Sequence, residues 1–138
     1  MDRVFLDANV IYSAAYRAAS PLRRLWQLED VELWTSDYAA AEAIGNLSED
    51  RPDRVADLHG LLGQMHIEAQ TAADAPLTED VRLAAKDRPI LHAAIRVGAR
   101  FLLTGDKTHF GPHFGRTCGG VTILPPSEFF RLHRPQLS

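Results

Sequence analysis

The chain opens with an apolar run, Val4-Phe5-Leu6, that stops at a carboxylate, Asp7, and resumes after Asn9 with Val10-Ile11. A continuous apolar run this short predicts a strand buried on both faces, with Asp7 at its carboxyl end. Val10 to Ala19 is alanine-rich and predicts a helix from about Ile11. Ser20-Pro21 predicts a fresh helix with serine as N-cap and proline at its first position, and Leu22, Leu25, Trp26 and Leu28 follow at helical spacing. Val31 to Thr35 alternates like a second strand. Ser36-Asp37 caps a helix from Tyr38 to about Leu47, with Ile44 and Leu47 toward the core. Pro52 starts another, Asp53 to about Leu62, and His66 to Ala69 is a third, short strand.

In the second half, Thr78 caps a short helix from Glu79 to Lys86. Asp87-Arg88-Pro89 then opens a helix whose apolar set is Ile90, Leu91, Ala94, Ile95 and Val97, with Gly98 at the position of a left-handed C-terminal cap. Phe101 to Thr104 is the fourth strand, Gly105 to Gly120 a loop, Val121 to Leu124 the fifth strand, and Glu128 to Leu132 a final helical turn. Strand–helix alternation of this kind predicts an α/β fold: a three-layer α/β/α sandwich with a central parallel sheet of about five strands, as one domain over residues 1–138.

Composition narrows the classes. At 138 residues, 46% hydrophobic and 24% charged, the chain reads as a globular domain able to bury a sizeable core. No apolar run approaches a membrane span and no leader precedes the first strand, so a cytoplasmic protein with no membrane contact is expected. A single cysteine, Cys118, allows no internal disulfide and suits a reducing compartment. The net charge of −3 gives no overall basic field for nucleic acid. Arg17, Arg23, Arg24 and Arg88 are the candidates for a local basic patch.

Four acids stand out by position. Asp7 ends the first strand and Asp106 follows the fourth, Phe101-Leu102-Leu103-Thr104-Gly105-Asp106. Open parallel sheets take their ligands at such carboxyl ends. Asp87 sits at a helix start, where amides and the helix dipole favour a carboxylate. Glu42 lies among Ala39, Ala40, Ala41 and Ala43, small neighbours that would let the helix approach closely while one long acid reaches over the strand edge. Each has a plainer role as turn residue, solvated helix position or cap. Converging at one sheet edge, they would repel unless a cation lay between them or their pKa values rose. Replacing one by its amide is then expected to stabilise the metal-free protein.

The stretches Phe5-Leu6-Asp7-Ala8-Asn9-Val10, Ala40-Ala41-Glu42-Ala43-Ile44-Gly45-Asn46-Leu47, Asp87-Arg88-Pro89-Ile90-Leu91-His92-Ala93-Ala94-Ile95 and Leu103-Thr104-Gly105-Asp106-Lys107-Thr108-His109-Phe110 occur in that order. Together with Pro126-Ser127-Glu128-Phe129-Phe130, this ordered set resembles the PIN-domain nucleases, in particular the VapC-type toxins of bacterial toxin–antitoxin pairs. The resemblance covers essentially the whole chain.

It implies a metal-dependent endoribonuclease that binds Mg²⁺ or Mn²⁺ through Asp7, Glu42, Asp87 and Asp106. Asn9 would orient Asp7, Thr104 would hydrogen bond behind the acids, and Arg88 and His109 would stand near the substrate. RNA is the implied substrate and a cognate antitoxin the implied partner, with a homodimer also open. The alanine-rich and aromatic helices before residue 30 would offer that partner an apolar groove. Many members carry a further acid where this chain has His109, which bears on a second metal more than on the first.

Oxygen ligands suit hard Mg²⁺, so the residue chemistry agrees with the resemblance. Rival readings fit less well. A haloacid-dehalogenase-type phosphatase would need a second aspartate at position 9 and leaves Glu42 without a role. A PIN-like module that only grips RNA or protein has the His109 replacement as its one supporting feature. His109 and His113 are spaced like zinc ligands, but Gly111-Pro112 between them favours a solvated loop. Trp26, Trp34 and Met65 are expected in the core, and His59 and His66 at the surface.

Overall fold

The computed structural model describes residues 1–69 and 88–133. Asp87 and the helix expected over Glu79–Lys86 lie outside the described residues. Six strands form one sheet: β1 (Asp2–Leu6), β2 (Val31–Ser36), β3 (His66–Glu68), β4 (Phe101–Leu103), β5 (Thr117–Cys118) and β6 (Val121–Leu124). Their order is β3-β2-β1-β4-β6-β5, and every pairing is parallel except β5 with β6. The α-helices around it are α1 (Ala8–Tyr16), α2 (Asp37–Asp50), α3 (Val55–Leu62), α4 (Arg88–Arg96) and α5 (Pro126–Leu132).

β1 is central because Val4, Phe5 and Leu6 are buried on both faces, paired with β2 on one side and β4 on the other. Between β1 and β4 the strand order reverses, since the chain first builds outward through β2 and β3 and then returns to β4. Such a reversal opens a crevice at the carboxyl ends of the strands. The register decides what meets there. Phe5 pairs with Trp34 and Leu6 with Leu103, so Ser36, Asp7 and Thr104 follow at one level on three neighbouring strands. All three side chains are buried.

The helices grow from that edge. Asp7 caps α1 by accepting from the Ala8 amide, so the helix starts at Ala8 rather than at Ile11. Ser36 caps α2 through the Ala39 amide, and α2 runs on to Asp50. Ala8, Ile11, Ala14 and Ala15 face the core from α1, and Ala39, Ala40, Ala43 and Leu47 from α2. The small residues let α1 and α2 pack closely on each other. Gly98, with φ at +69°, ends α4 as expected, and the Ala99 and Gly98 amides return to the Ala94 and Ile95 carbonyls.

Three expectations change. The segment Pro21–Gln27 is a 3₁₀ helix, tied down by tertiary bonds: the Trp26 indole donates to the Leu61 carbonyl at 3.1 Å and Arg23 Nε to the Ala14 carbonyl at 2.8 Å. The stretch from Gly105 to Gly120 is only partly loop. It holds a 3₁₀ turn at Gly111–His113 and the strand β5, which makes the sheet mixed and six-stranded. Gly119 (φ +57°) and Gly120 (φ +84°) supply the two positive-φ residues that a tight hairpin needs between Cys118 and Val121. A Cβ at Gly119 would also stand 2.9 Å from the Ile95 side chain. Finally, Trp26, Trp34 and Met65 pack against the core only half-buried, and Trp34 stacks on His66 with ring centroids 4.7 Å apart.

Candidate active site

At the reversal point, Asp7 is 5% exposed and its carboxylate accepts three hydrogen bonds from the described residues. The Ala8 amide donates to Oδ1 at 2.7 Å, and the Thr104 hydroxyl and Asn9 Nδ2 donate to Oδ2 at 2.8 and 3.2 Å. Asn9 Nδ2 also reaches Thr104 Oγ1 at 3.2 Å, while its Oδ1 accepts from the Gly105 amide at 2.7 Å. The Asp106 amide completes the set by donating to Thr104 Oγ1 at 3.1 Å. Asn9 and Thr104 therefore join the ends of β1 and β4 around one buried carboxylate. Three donors and a helix N-terminus together stabilise its charge.

Asp106 is arranged differently. Its Oδ1 accepts from the Thr108 and His109 amides at 3.1 and 3.0 Å, and its Oδ2 meets His109 Nδ1 at 2.7 Å. Partial burial pushes this carboxyl up, but the His109 amide, ring and charge and the Thr108 amide outweigh that and hold it below its ordinary value. His109 is thus half-buried and paired rather than solvated. His113 departs further from the expected solvated loop, being 6% exposed, and its Nδ1 has no hydrogen-bond partner among the described residues.

Glu42 is exposed on α2 and, with Asn46 and Asp50, forms a stripe at spacing i, i+4, i+8. These three and Asn9 and Tyr12 of α1 line a cleft of about 160 Å³. A second cleft, about 390 Å³, has Asp106, Gly105, Ser13 and Pro126 in its walls and again Asn9. Asn9 stands at both, with Asp7 directly behind it. Of the expected acids, then, Asp7, Glu42 and Asp106 lie around Asn9. No group of three or more such ligands close enough to hold an ion occurs among the described residues.

Two residues of this region went unread in the sequence. Tyr12 donates to Asp50 Oδ2 at 2.6 Å, and that bond, then burial and the Asp50 charge, push the phenol up to about 12. The signal was there: Asn9, Tyr12, Ser13 and Tyr16 follow i, i+3, i+4, i+7, a second helical stripe opposite the alanines. Among the expected basic residues, Arg23 is structural, bonded to Asp57 and to the Ala14 carbonyl. Arg24 lies over the Phe130 ring and Arg88 is exposed at the start of α4.

The PIN domain family profile matches residues 3–108, more than three-quarters of the chain. The chain belongs to the PIN domain family. Among solved structures, VapBC2 from Rickettsia felis bound to a DNA fragment from their promoter matches with a TM-score of 0.68 at 15% identity, over 89% of this chain and 98% of that one. VapC20 of Mycobacterium tuberculosis, a Sarcin-Ricin loop cleaving toxin, gives 0.56 at 15% identity over 75% and 91%. FitAB bound to an IR36 DNA fragment gives 0.51 at 21% identity over 89% and 94%. At these identities the likeness is one of fold. No curated protein matches the sequence. Membership of the PIN family leaves the phosphatase alternative without support, and no described helix is long and apolar enough to cross a membrane.

By chemical type, though not yet by spacing, the donors around Asn9 suit the divalent cation such a family implies: carboxylate oxygens of Asp7, Glu42 and Asp106 and the Asn9 amide. Glu42 makes no hydrogen bond or ion pair among the described residues, so its carboxylate has all its acceptor capacity left.

Proposed function

We propose that this PIN-domain protein is a metal-dependent endoribonuclease, the toxin of a toxin–antitoxin pair, acting as a single domain. The observation that carries the reading is the placement of Asp7, Asn9 and Thr104 at the strand reversal, with Glu42 and Asp106 on the two clefts that share Asn9. Asp7, Glu42, Asp87 and Asp106 would hold Mg²⁺ or Mn²⁺. When bound, such an ion lowers the pKa of its water and stabilises charge on the phosphoryl oxygens.

The chain's own groups do the positioning. Thr104 and Asn9 fix the orientation of Asp7, and the buried junction prevents its carboxylate from swinging. Glu42, exposed and unengaged, is free to turn toward the ion or to accept a proton from water. Asp106 is available after exchanging part of its local bonding to His109, whose ring would then face the phosphate. Arg88 would meet the substrate at the start of α4. An antitoxin would inhibit by covering these clefts, placing its own charged side chain beside the acids.

The test is cleavage of a labelled single-stranded RNA with and without EDTA, comparing wild type with Asp7→Asn, Glu42→Gln, Asp87→Asn and Asp106→Asn. Loss of one ligand is expected to cost roughly 10² or more in rate, as for a misplacement near 1 Å. Cleavage that survives EDTA or all four substitutions would sink the reading. Mn²⁺ should also raise the melting temperature of wild type and fail to do so for Asp7→Asn, by linkage to binding in the folded state alone. A protein that binds RNA, shows no metal-dependent cleavage and is indifferent to the four substitutions would be the binding module instead.

A further inference from the structure

The exposed stripe of α1 continues past the acids. Ser13 and Leu22, which wall the Asp106 cleft, also wall a neighbouring cleft of about 530 Å³ whose other sides include Tyr12, Tyr16 and Arg17. That volume lies in the range of roughly 300–1,000 Å³ typical of sites for small organic groups. The two tyrosine rings are adjacent, with centroids 5.6 Å apart and planes tilted by 41°. Each is held from outside the cleft, Tyr12 by its hydrogen bond to Asp50 and Tyr16 by the Arg51 guanidinium 5.0 Å from its centroid.

Arg17 is the one charged residue that lines this cleft. It is exposed, and it makes no ion pair among the described residues. The nearby carboxylates are engaged elsewhere: Asp50 by Tyr12, Asp53 by Arg51, and Asp57 by Arg23 and Arg54. The apolar surface of this cleft comes from Tyr12, Tyr16, Pro21 and Leu22 and not from the alanines, since Ala14 and Ala15 are wholly buried. The walls combine aromatic and aliphatic surface with the Ser13 and Ser20 hydroxyls and one cation.

From this arrangement we infer that the cleft along α1 holds a nucleotide flanking the scissile bond, its base stacked on Tyr16 and its phosphate on Arg17. The inference rests on the ribonuclease reading for its substrate. A π-face beside a lone arginine suits an unpaired nucleotide, because stacking needs a splayed base and the guanidinium pairs with phosphate oxygens. Continuity through Ser13 and Leu22 gives the strand a path from the acids into the cleft. Among the described residues no carboxylate lines the wall to pair with the basic groups of a protein tail, whereas Arg17 there suits a phosphate.

The experiment is fluorescence anisotropy of a 5′-labelled, mixed-sequence single-stranded RNA of about ten nucleotides, in EDTA so that cleavage is silent. Tyr16→Leu is expected to weaken binding roughly five- to hundredfold, the usual range for one lost base–aromatic stack, while Tyr16→Phe keeps wild-type affinity. Arg17→Ala should lower the salt slope of log K by about one. An oligonucleotide carrying abasic sites should bind wild type more weakly but Tyr16→Leu no more weakly than the intact strand does.

Matched melting temperatures for the Tyr16 variants separate the effect from a folding defect. Wild type that binds no RNA, or a Tyr16→Leu variant that binds like wild type, overturns the inference. Loss of co-purification with a partner protein in Tyr16→Leu, with RNA binding intact, assigns the cleft to protein and overturns it too. Binding with this pattern but no metal-dependent cleavage would sink the ribonuclease reading and leave the cleft's assignment standing.

Discussion

Asp7 and Asp106 stand at the same sheet edge, one at the end of β1 and the other just beyond β4, yet their carboxylates are held in opposite ways. Asp7 is buried and takes its decisive bond from Thr104, 97 residues away in the chain. Asp106 is satisfied by its own turn, three residues wide, through the Thr108 and His109 amides and the His109 ring. The first is fixed by tertiary structure and the second by local structure. Two acids of the same type can therefore differ in rigidity: the buried one serves as a fixed reference point, and the turn-bound one can exchange partners.

The largest expected difference is in chemistry and in folding together. Asp7→Asn should abolish cleavage and also destabilise the protein, by about 1–3 kcal/mol, because an NH₂ group would face one of three donors and leave it buried and unsatisfied. An amide variant more stable than wild type in the metal-free protein would instead show that repulsion among the acids dominates. The Asn9, Thr104 and Ala8 donors are matched to a carboxylate at Asp7, and an amide there loses one of them. Asp106→Asn should leave the urea midpoint nearly unchanged, since an asparagine oxygen can still cap the turn. Equal losses in the two variants would erase the contrast.

Next in size is Thr104→Val. It keeps the shape of the side chain and removes the hydroxyl that donates to Asp7 and accepts from Asn9 and Asp106. A hydrogen bond to a charged group contributes about 1.5–3 kcal/mol, and urea unfolding should show a loss of that order. A loss confined to a few tenths, within the noise of surface substitutions, would mean that Asp7 is held by its cap alone.

Acid stability gives a smaller effect that belongs to Asp106. Its folded value is depressed below 3.8, so its contribution is fully present above that pH and is lost as pH falls through the lower folded value. Wild type and Asp106→Asn should differ least at the acid end of a pH series of unfolding midpoints, and the difference should grow as pH rises through 3.8. A difference that is flat with pH would mean the turn does not discriminate the charged carboxylate. The smallest effect is spectroscopic. Of three tyrosines, Tyr12 should ionise late, near 12, and Asp50→Asn should return it toward 10.0. Alkaline difference absorbance reads this directly.

The sequence by itself determined the parallel core and its edge. Val4-Phe5-Leu6 read as a doubly buried strand, Ser36 and Gly98 as caps, and the acids at Asp7 and Asp106 marked the strand ends, because these signals are local in period, cap chemistry and turn chemistry. The hairpin at Gly119-Gly120 was equally local, and the glycines were read as loop where they were turn.

Other features only the tertiary structure decided. Register brought Thr104 level with Asp7, burial singled out His113 against its polar loop, and the packing of α1 on α2 turned Tyr12 toward Asp50 and Glu42 toward Asn9. Each of these depends on which strand lies beside which and which helix face is covered. Pairwise contacts between segments up to 97 residues apart leave no periodic trace in either segment alone.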